Sequence, residues 1–553
     1  MCPGSRCAPL TLAFTRHTEI TCRTFSDERS ACFIAVGLAQ QTQTPVSIVC
    51  TSGSAAYNFA PGIAEAFFQE VPLLVFTADR PAEWIDQWDG QTIRQTNIFG
   101  AHVKKSYTLP QEYDHPDSSW HIHRIVNEAI VLSQEFPQGP VHINVPLREP
   151  LYPGLGESVS FSNVNTVVKI TSSSSELTPT DSTALRKIIS SYSKVMVVGG
   201  QNVPKAKLTK AIAGFCKNHH ATLAGDVISN LHALPNTVRH TDTFLGQCDD
   251  SVKQSLAPDL LITFGKSVIS KNLKLFLRKY KPQEHWHIQP HGIAADTFQS
   301  LSRLVHCSPQ NFFESLLTTE KTGVVIERKK KNYTQLWHTE EKRTKRSMKY
   351  FFSESRFTEF HMMKEILSSL PAQCNLHLSN SMSVRYANFI GLATNNRGVR
   401  VFANRGTSGI DGCTSSAIGH ALGSQIPNIL ITGDMAFFYD RNAFWHNYPL
   451  TNLHLVVVNN QGGVIFNLID GPSSLEEKDE YFITNQNLTA SHLAEEFGYD
   501  YLKLDSLRKV KSTLTNFFRF EGRVKILEIA SNQKTAKATF EQFKNIIKKG
   551  YET

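Results

Sequence analysis

No apolar run in the 553-residue chain reaches the roughly 18 residues a helix needs to cross a bilayer. The opening stretch MCPGSRCAPLTLAF lacks the basic start, long apolar middle and small-residue cleavage site of an export signal. Cysteines number only 10 and none form a C-x-x-C pair, which excludes a disulfide framework and a zinc site of that type. A complete G-x-G-x-x-G is absent as well. Its nearest approach, Gly199-Gly200 after KVMVV, is too little for a dinucleotide site. No repeat of solenoid period is visible. These absences leave a cytoplasmic globular protein with reduced, mostly buried thiols and no membrane span.

What is present fits that class. Hydrophobic residues make up 41%, aromatics 10% and charged residues 19%, as in ordinary globular proteins, and the length suggests about three to four domains. The formal charge of +8 is concentrated: residues 320–350 hold ten Lys/Arg against four Glu. That segment reads as a solvated linker or surface helix. With no aromatic interleaving and no nucleic-acid module, it does not predict a nucleic-acid partner.

Three blocks alternate strand and helix patterns. The first, residues 1–153, contains PVSIVCTSGSAAYNFAPGIAEAFF and VPLLVFTADRP, a strand-turn-helix-strand order that predicts a parallel sheet covered on both faces. A Ser/Thr-rich linker at 171–183 leads to the second, at 185–318, a Rossmann-like block that reads as mainly structural. The third, at 350–553, has four apolar runs that each end in polar or glycine residues: NLHLSNSMSVR, VRVFANRGTSGIDG, NILITGD and LHLVVVNNQGGVIF. In doubly wound sheets ligands bind beyond the carboxyl ends of strands, so these junctions are candidates for one crevice. The fold class is therefore α/β, with three doubly wound parallel-sheet domains.

Within the third block, Asp434 stands between ILI and bulky apolar residues, where an unpaired charge is costly. One reading makes it a helix cap. The other follows from Asn460, placed 26 residues later at the end of a second apolar run, a spacing suited to one strand-helix-strand unit. A carboxylate, an amide oxygen and a main-chain carbonyl are hard donors that suit Mg²⁺ or Mn²⁺, and Gly462-Gly463 lets backbone approach a phosphate. Asp434, Asn460 and Gly462 are the candidate metal ligands.

This G-D-x-N-N pattern resembles the signature of thiamine diphosphate enzymes, with Met435 where the signature usually has glycine. Such enzymes also need a carboxylate against the aminopyrimidine ring to promote loss of the cofactor's C2 proton. Glu28 in TFSDERSACFIAVGLAQ is the candidate, against the plain alternative of a surface charge at a helix start. The motifs CPGSR, DERSACFIAVGLA, TSGSAAYN, TADRPAE, GQTIRQ, FANRGTSGIDG and GDMAFFYDRNAF with VVNNQGGVIF together resemble the 2-succinyl-5-enolpyruvyl-6-hydroxy-3-cyclohexene-1-carboxylate synthase family. The likeness covers nearly the whole chain in order and is weakest in the middle block.

The resemblance implies pyrimidine-binding, central and diphosphate-binding domains. It also implies a reaction of menaquinone biosynthesis in which 2-oxoglutarate is decarboxylated on thiamine diphosphate and the resulting carbanion adds to isochorismate. Two dicarboxylate substrates call for arginine clamps, and the motifs carry over Arg6, Arg80, Arg385 and Arg405, with Lys271 from the middle block. Asn272 beside it stands where the family often has a second basic residue. Gln91 and Ser381 are implied hydrogen-bond partners, Ile410 a wedge beneath the cofactor, and Phe466 part of the acceptor pocket. Ser408, Gly409, Gly433, Gly463 and Ile465 complete the implied cofactor contacts.

The resemblance further implies a homodimer or homotetramer in which Glu28 serves a cofactor held by the other subunit's Asp434 and Asn460. The family has about one helix and one strand before its PGSR motif, so the first domain is expected to lack these and to expose a sheet edge. An N-terminal extension of about 30 residues, one helix-strand unit, is expected to improve solubility and activity. Two rival readings are another thiamine diphosphate decarboxylase or carboligase, such as an acetolactate synthase, and a non-catalytic homologue.

Overall fold

A computed structural model describes residues 1–158, 161, 176–203, 205–320, 323–469 and 471–552. Three all-parallel sheets organise it. The first orders its strands Val46–Cys50, Leu73–Asp79, Val141–Pro146, Ser106–Thr108. The second runs Thr222–Gly225, Val195–Gly199, Leu260–Phe264, Glu284–Gln289, Arg303–His306. The third has six strands: Gly398–Phe402, Gln373–Leu378, Asn428–Gly433, Leu453–Asn459, Lys525–Ala530, Asp500–Leu504. Strands such as Leu73–Asp79 and Leu453–Asn459 are buried at every residue, as expected where helices cover both faces.

The strand order of the third sheet reverses between Gln373–Leu378 and Asn428–Gly433. Chain leaving these two strands diverges to opposite faces and opens a crevice at their carboxyl ends. In the first sheet the edge strand Val46–Cys50 is met by the start of the chain. The Cys2 N–H donates to Val49 O at 2.8 Å and the Phe25 N–H to Met1 O at 3.0 Å.

Two linker expectations change. Residues 171–175 of the Ser/Thr-rich stretch lie outside the described residues, and the rest of it enters the helix Pro179–Ser191. Thr178 Oγ1 accepts from the Asp181 N–H at 3.0 Å and Pro179 occupies the first helical position, a helix start rather than a spacer. The basic segment is the helix Val324–Phe351, with Tyr333 and Trp337 fully buried on one face. Tyr333 donates to Leu256 O at 3.0 Å and Lys330 to Ile189 O at 3.0 Å. It is a docked helix whose other face carries the charge.

Side chains tie the sheets together. Asn230 of the second domain donates to Val401 O at 3.0 Å and accepts from the Val401 N–H at 2.7 Å, so a side-chain amide completes the edge strand Gly398–Phe402. Between the first and third domains, helices Glu28–Thr42 and Cys413–Leu422 cross almost backbone to backbone. A Cβ on Gly37 would lie 2.0 Å from Ser416 O, and one on Gly419 would lie 2.1 Å from Ile34 O. Only glycine permits that approach. Gly37→Ala should therefore cost about 1–3 kcal/mol by forcing the helices apart, read as a lowered unfolding temperature by calorimetry. An unchanged temperature would contradict it.

Candidate active site

The crevice of the third sheet deepens into a cavity of about 470 Å³, lined by Ser381, Arg385, Arg405, Ser408, Ile410, Gly433, Asp434, Asn460, Gly462, Gly463, Ile465 and Phe466, all anticipated from sequence. Glu359, Asn380, Tyr386, Met435 and Phe482 line it as well.

Asp434 begins the helix Asp434–Tyr439 as its strand ends. It is 2% exposed. Its Oδ1 accepts from the Met435 N–H at 2.8 Å, and its Oδ2 accepts from the Gly462 N–H at 2.8 Å and Gln486 Nε2 at 3.0 Å. Burial raises its pKa, and these bonds oppose the rise. Met435 has ordinary helical backbone there, so its place needs no glycine and the side chain joins the cavity wall.

Asn460 follows the neighbouring strand. Its Nδ2 donates to Glu359 Oε2 at 3.1 Å, while its Oδ1 is buried without a partner. An orphaned buried acceptor carries a penalty of about 1–3 kcal/mol, which a cation would remove. Gly462 has φ +153°, and a Cβ there would lie 2.8 Å from Ile483 O; the backbone is held open at that point. Asp434, Asn460 Oδ1 and the Gly462 carbonyl form an all-oxygen set that fits a hard divalent ion.

The lining also carries cations. Arg385 Nη1 donates to Ser381 O at 2.6 Å and Arg405 Nη1 to Asn380 Oδ1 at 2.7 Å. Among the described residues neither guanidinium has a carboxylate within ion-pair distance. Burial lowers both pKa values, and the neighbouring charge of Arg405 lowers that of Arg385 further. Lys274 is lowered by burial and then by Arg405. Lys271, by contrast, is exposed in the first turn of the helix Lys271–Lys279, and Asn272 is occupied by Asp242. Lys274, three residues on, is the lysine of this helix whose charge Arg405 opposes.

Two organising residues escaped the sequence reading. Asn380 Nδ2 donates to Asn404 O at 2.7 Å and to Gly409 O at 2.6 Å, which places Gly409 behind the lining. Glu65, fully buried in the first domain, accepts from the Gly406 N–H at 2.9 Å and from the Thr407 N–H and Oγ1, each at 2.6 Å. It holds the loop that carries Arg405 and Ser408. Both partners lie more than 340 residues from Glu65, beyond any local signal.

Glu28, Arg6, Arg80 and Gln91 do not line this cavity. They belong to the carboxyl edge of the first sheet. Arg6 is 5% exposed and donates to Leu147 O at 3.0 Å; Arg80 donates to Gly90 O at 2.7 Å and pairs with Asp89 at 3.0 Å. Gln91, with φ +55°, presses its backbone against Gly53. Glu28 is in the first turn of its helix, and burial raises its pKa. Close in sequence to these, Ser30 Oγ, Thr51 Oγ1 and Ser52 Oγ are buried without partners. One chain thus carries the two groups of expected site residues on different sheets.

The three parallel-sheet domains and this cradle define a thiamine diphosphate-dependent enzyme. The description "Thiamine pyrophosphate enzyme, N-terminal TPP binding domain" matches residues 1–98, and "Middle domain of thiamine pyrophosphate" matches residues 179–378. A solved benzoylformate decarboxylase from Polynucleobacter necessarius has the same fold, with a TM-score of 0.68 at 15% identity over 96% of this chain and 95% of that one. Among curated proteins, 2-succinyl-5-enolpyruvyl-6-hydroxy-3-cyclohexene-1-carboxylate synthase of Cytophaga hutchinsonii is 43% identical over 99% of this chain and 96% of its own. The proteins of that name from Flavobacterium johnsoniae and Bacteroides fragilis are 37% identical (95% of this chain, 92% of theirs) and 34% identical (99% and 96%). The chain belongs to the 2-succinyl-5-enolpyruvyl-6-hydroxy-3-cyclohexene-1-carboxylate synthase family. Among the described residues no helix is long and apolar enough to cross a membrane.

Glu65→Ala would leave the Gly406 and Thr407 amides without their acceptor. It should cost on the order of 3 kcal/mol in stability and raise KM for an anionic substrate through the displaced Arg405. Wild-type values for both, by calorimetry and steady-state kinetics, would refute the assignment.

Proposed function

We propose that the protein decarboxylates 2-oxoglutarate and joins the remaining four-carbon unit to isochorismate, with thiamine diphosphate and Mg²⁺ or Mn²⁺ bound. The observation that carries this reading is the cavity itself: an all-oxygen cradle shares its lining with two half-buried guanidiniums that, among the described residues, have no carboxylate partner. A pyruvate enzyme of the acetolactate synthase kind has no need of so many cations for a monocarboxylate, and a non-catalytic homologue has no need of the cradle.

Thiamine diphosphate, when bound, supplies the carbon that attacks a 2-oxoacid and stabilises the carbanion left by loss of CO₂. Asp434, Asn460 Oδ1 and the Gly462 carbonyl hold the metal, while Gly433, Ser408 and Gly463 leave room for the diphosphate. Ile410 supports the cofactor from below. Glu28 holds a proton near the aminopyrimidine, and its burial favours the protonated form. Arg385 and Arg405 bind substrate carboxylates, Ser381 adds a hydrogen bond, and Ile465 and Phe466 exclude water. Arg6, Arg80 and Gln91 serve the acceptor from the side that carries Glu28.

Because Glu28 and Asp434 belong to different half-sites of one chain, the complete site is formed by two copies, each supplying one half. A homodimer is the smallest assembly that closes it; a homotetramer contains two such pairs.

Incubation with thiamine diphosphate, Mg²⁺, 2-oxoglutarate and isochorismate should consume isochorismate, followed by its absorbance. No consumption, or equal turnover of pyruvate, would sink the proposal. Glu28→Gln should lower kcat by about 10²–10⁴-fold with cofactor affinity largely kept, whereas Asp434→Ala should abolish metal-dependent cofactor binding in a fluorescence titration.

A further inference from the structure

Metal binding by Asn460 depends on which way its amide is turned, because the two orientations have the same shape. One presents an acceptor oxygen and the other an N–H₂ that repels a cation. Something must select between them, and the strand end alone does not.

Glu359 makes the selection. It opens the helix Glu359–Ser368 after the capping residue Thr358 and is 1% exposed. Its Oε1 accepts from Tyr386 Oη at 2.5 Å; its Oε2 accepts from Asn460 Nδ2 at 3.1 Å and Ser531 Oγ at 3.2 Å. A carboxylate that takes three donors can only accept, so the Asn460 amide must give it the nitrogen. The oxygen is then left buried and without a partner at the wall that also carries Asp434. We propose that Glu359 is a positioning residue, one that touches neither metal nor cofactor but fixes the Asn460 amide with its oxygen toward the divalent ion. Tyr386 and Ser531 steady the carboxylate in turn. The inference rests on the reading of Asp434 and Asn460 as metal ligands given above. Hydrogen-bonded groups behind a ligand of this kind typically alter metal affinity by about 10–100-fold.

The test titrates Mn²⁺ into protein at a fixed, saturating thiamine diphosphate concentration and reads cofactor binding by near-ultraviolet circular dichroism. Glu359→Leu, which removes the acceptor, should raise the apparent Mn²⁺ constant about 10-fold or more. Tyr386→Phe breaks a bond to the same carboxylate but not the one to Asn460, and should change the constant less than about twofold. The discriminating variant adds Asn460→Asp to Glu359→Leu. A carboxylate offers an oxygen whichever way it turns, so most of the lost affinity should return, which a merely structural role for Glu359 would not produce. Should Glu359→Leu fail to fold, the isosteric Glu359→Gln weakens the same bond by removing its charge and should raise the constant roughly threefold or more. If wild-type protein shows no Mn²⁺ dependence, the metal reading and this inference both fall. If wild type responds and Glu359→Leu matches it, or Asn460→Asp gives no recovery, only the inference falls.

Discussion

A carboxylate taken out of water must be given donors or a cation, and Asp434 imposes that requirement on the whole carboxyl edge of the third sheet. Its two oxygens draw in the amides of Met435 and Gly462 and the side chain of Gln486. Those contacts tie together loops from separate parts of the chain. The Gln486 N–H donates to Gln461 O at 3.2 Å and the Gly463 N–H to Ile483 O at 2.7 Å. The cradle around residues 461–463 and 483–486 is thus shaped by the need to solvate one buried charge.

The lining of the cavity also stores backbone strain. Ser381, Ser408 and Thr484 of the lining, and Gln461 beside it, have φ between +49° and +66°, a region that costs non-glycine residues roughly 1–3 kcal/mol each. Three of these positions are tied to neighbours: Arg385 donates to the Ser381 carbonyl, Asn380 to the carbonyl of Gly409 next to Ser408, and Gln486 and Gln533 to the Gln461 carbonyl. Such conformations persist where the surroundings overdetermine them, and here they coincide with the ligand-facing wall. A fixed, strained wall presents its polar groups without having to reorganise when a ligand arrives.

Sequence carried the site wherever the chemistry is local. Asp434 and Asn460 are separated by one strand-helix-strand unit, so spacing alone placed them on adjacent strands, and the arginines of the third block fell within short motifs. Groups whose partners are distant were not legible. Glu359 meets Asn460 101 residues away and Ser531 172 residues away, and Glu65 meets a loop of another domain. Nothing near either residue announces a buried carboxylate. The basic segment is the surface-helix alternative, but its charge count hides Tyr333 and Trp337, whose helical spacing gives it a docked face. In the helix Lys271–Lys279 the motif pointed to Lys271, while the charge of Lys274 is the one that Arg405 opposes.

That helix also changes the standing of the middle domain, whose sequence reads as mainly structural. The half-buried guanidiniums of Arg385 and Arg405 are penalised by desolvation, and Arg405 disfavours the charge of Arg385. Compensation comes from carboxylates that are near but already engaged. Glu65 is held by the Gly406 and Thr407 amides, Asp226 by those of Ile269 and Ser270, and Asp242 by that of Asn272. Asp226 and Glu65 support the charge of Arg405, and Asp242 that of Arg385. Engaged in this way, the carboxylates lower the cost of burying positive charge without closing on the arginine forks. The forks are left without a direct carboxylate partner among the described residues because the first and middle domains supply negative charge that is pinned at a distance.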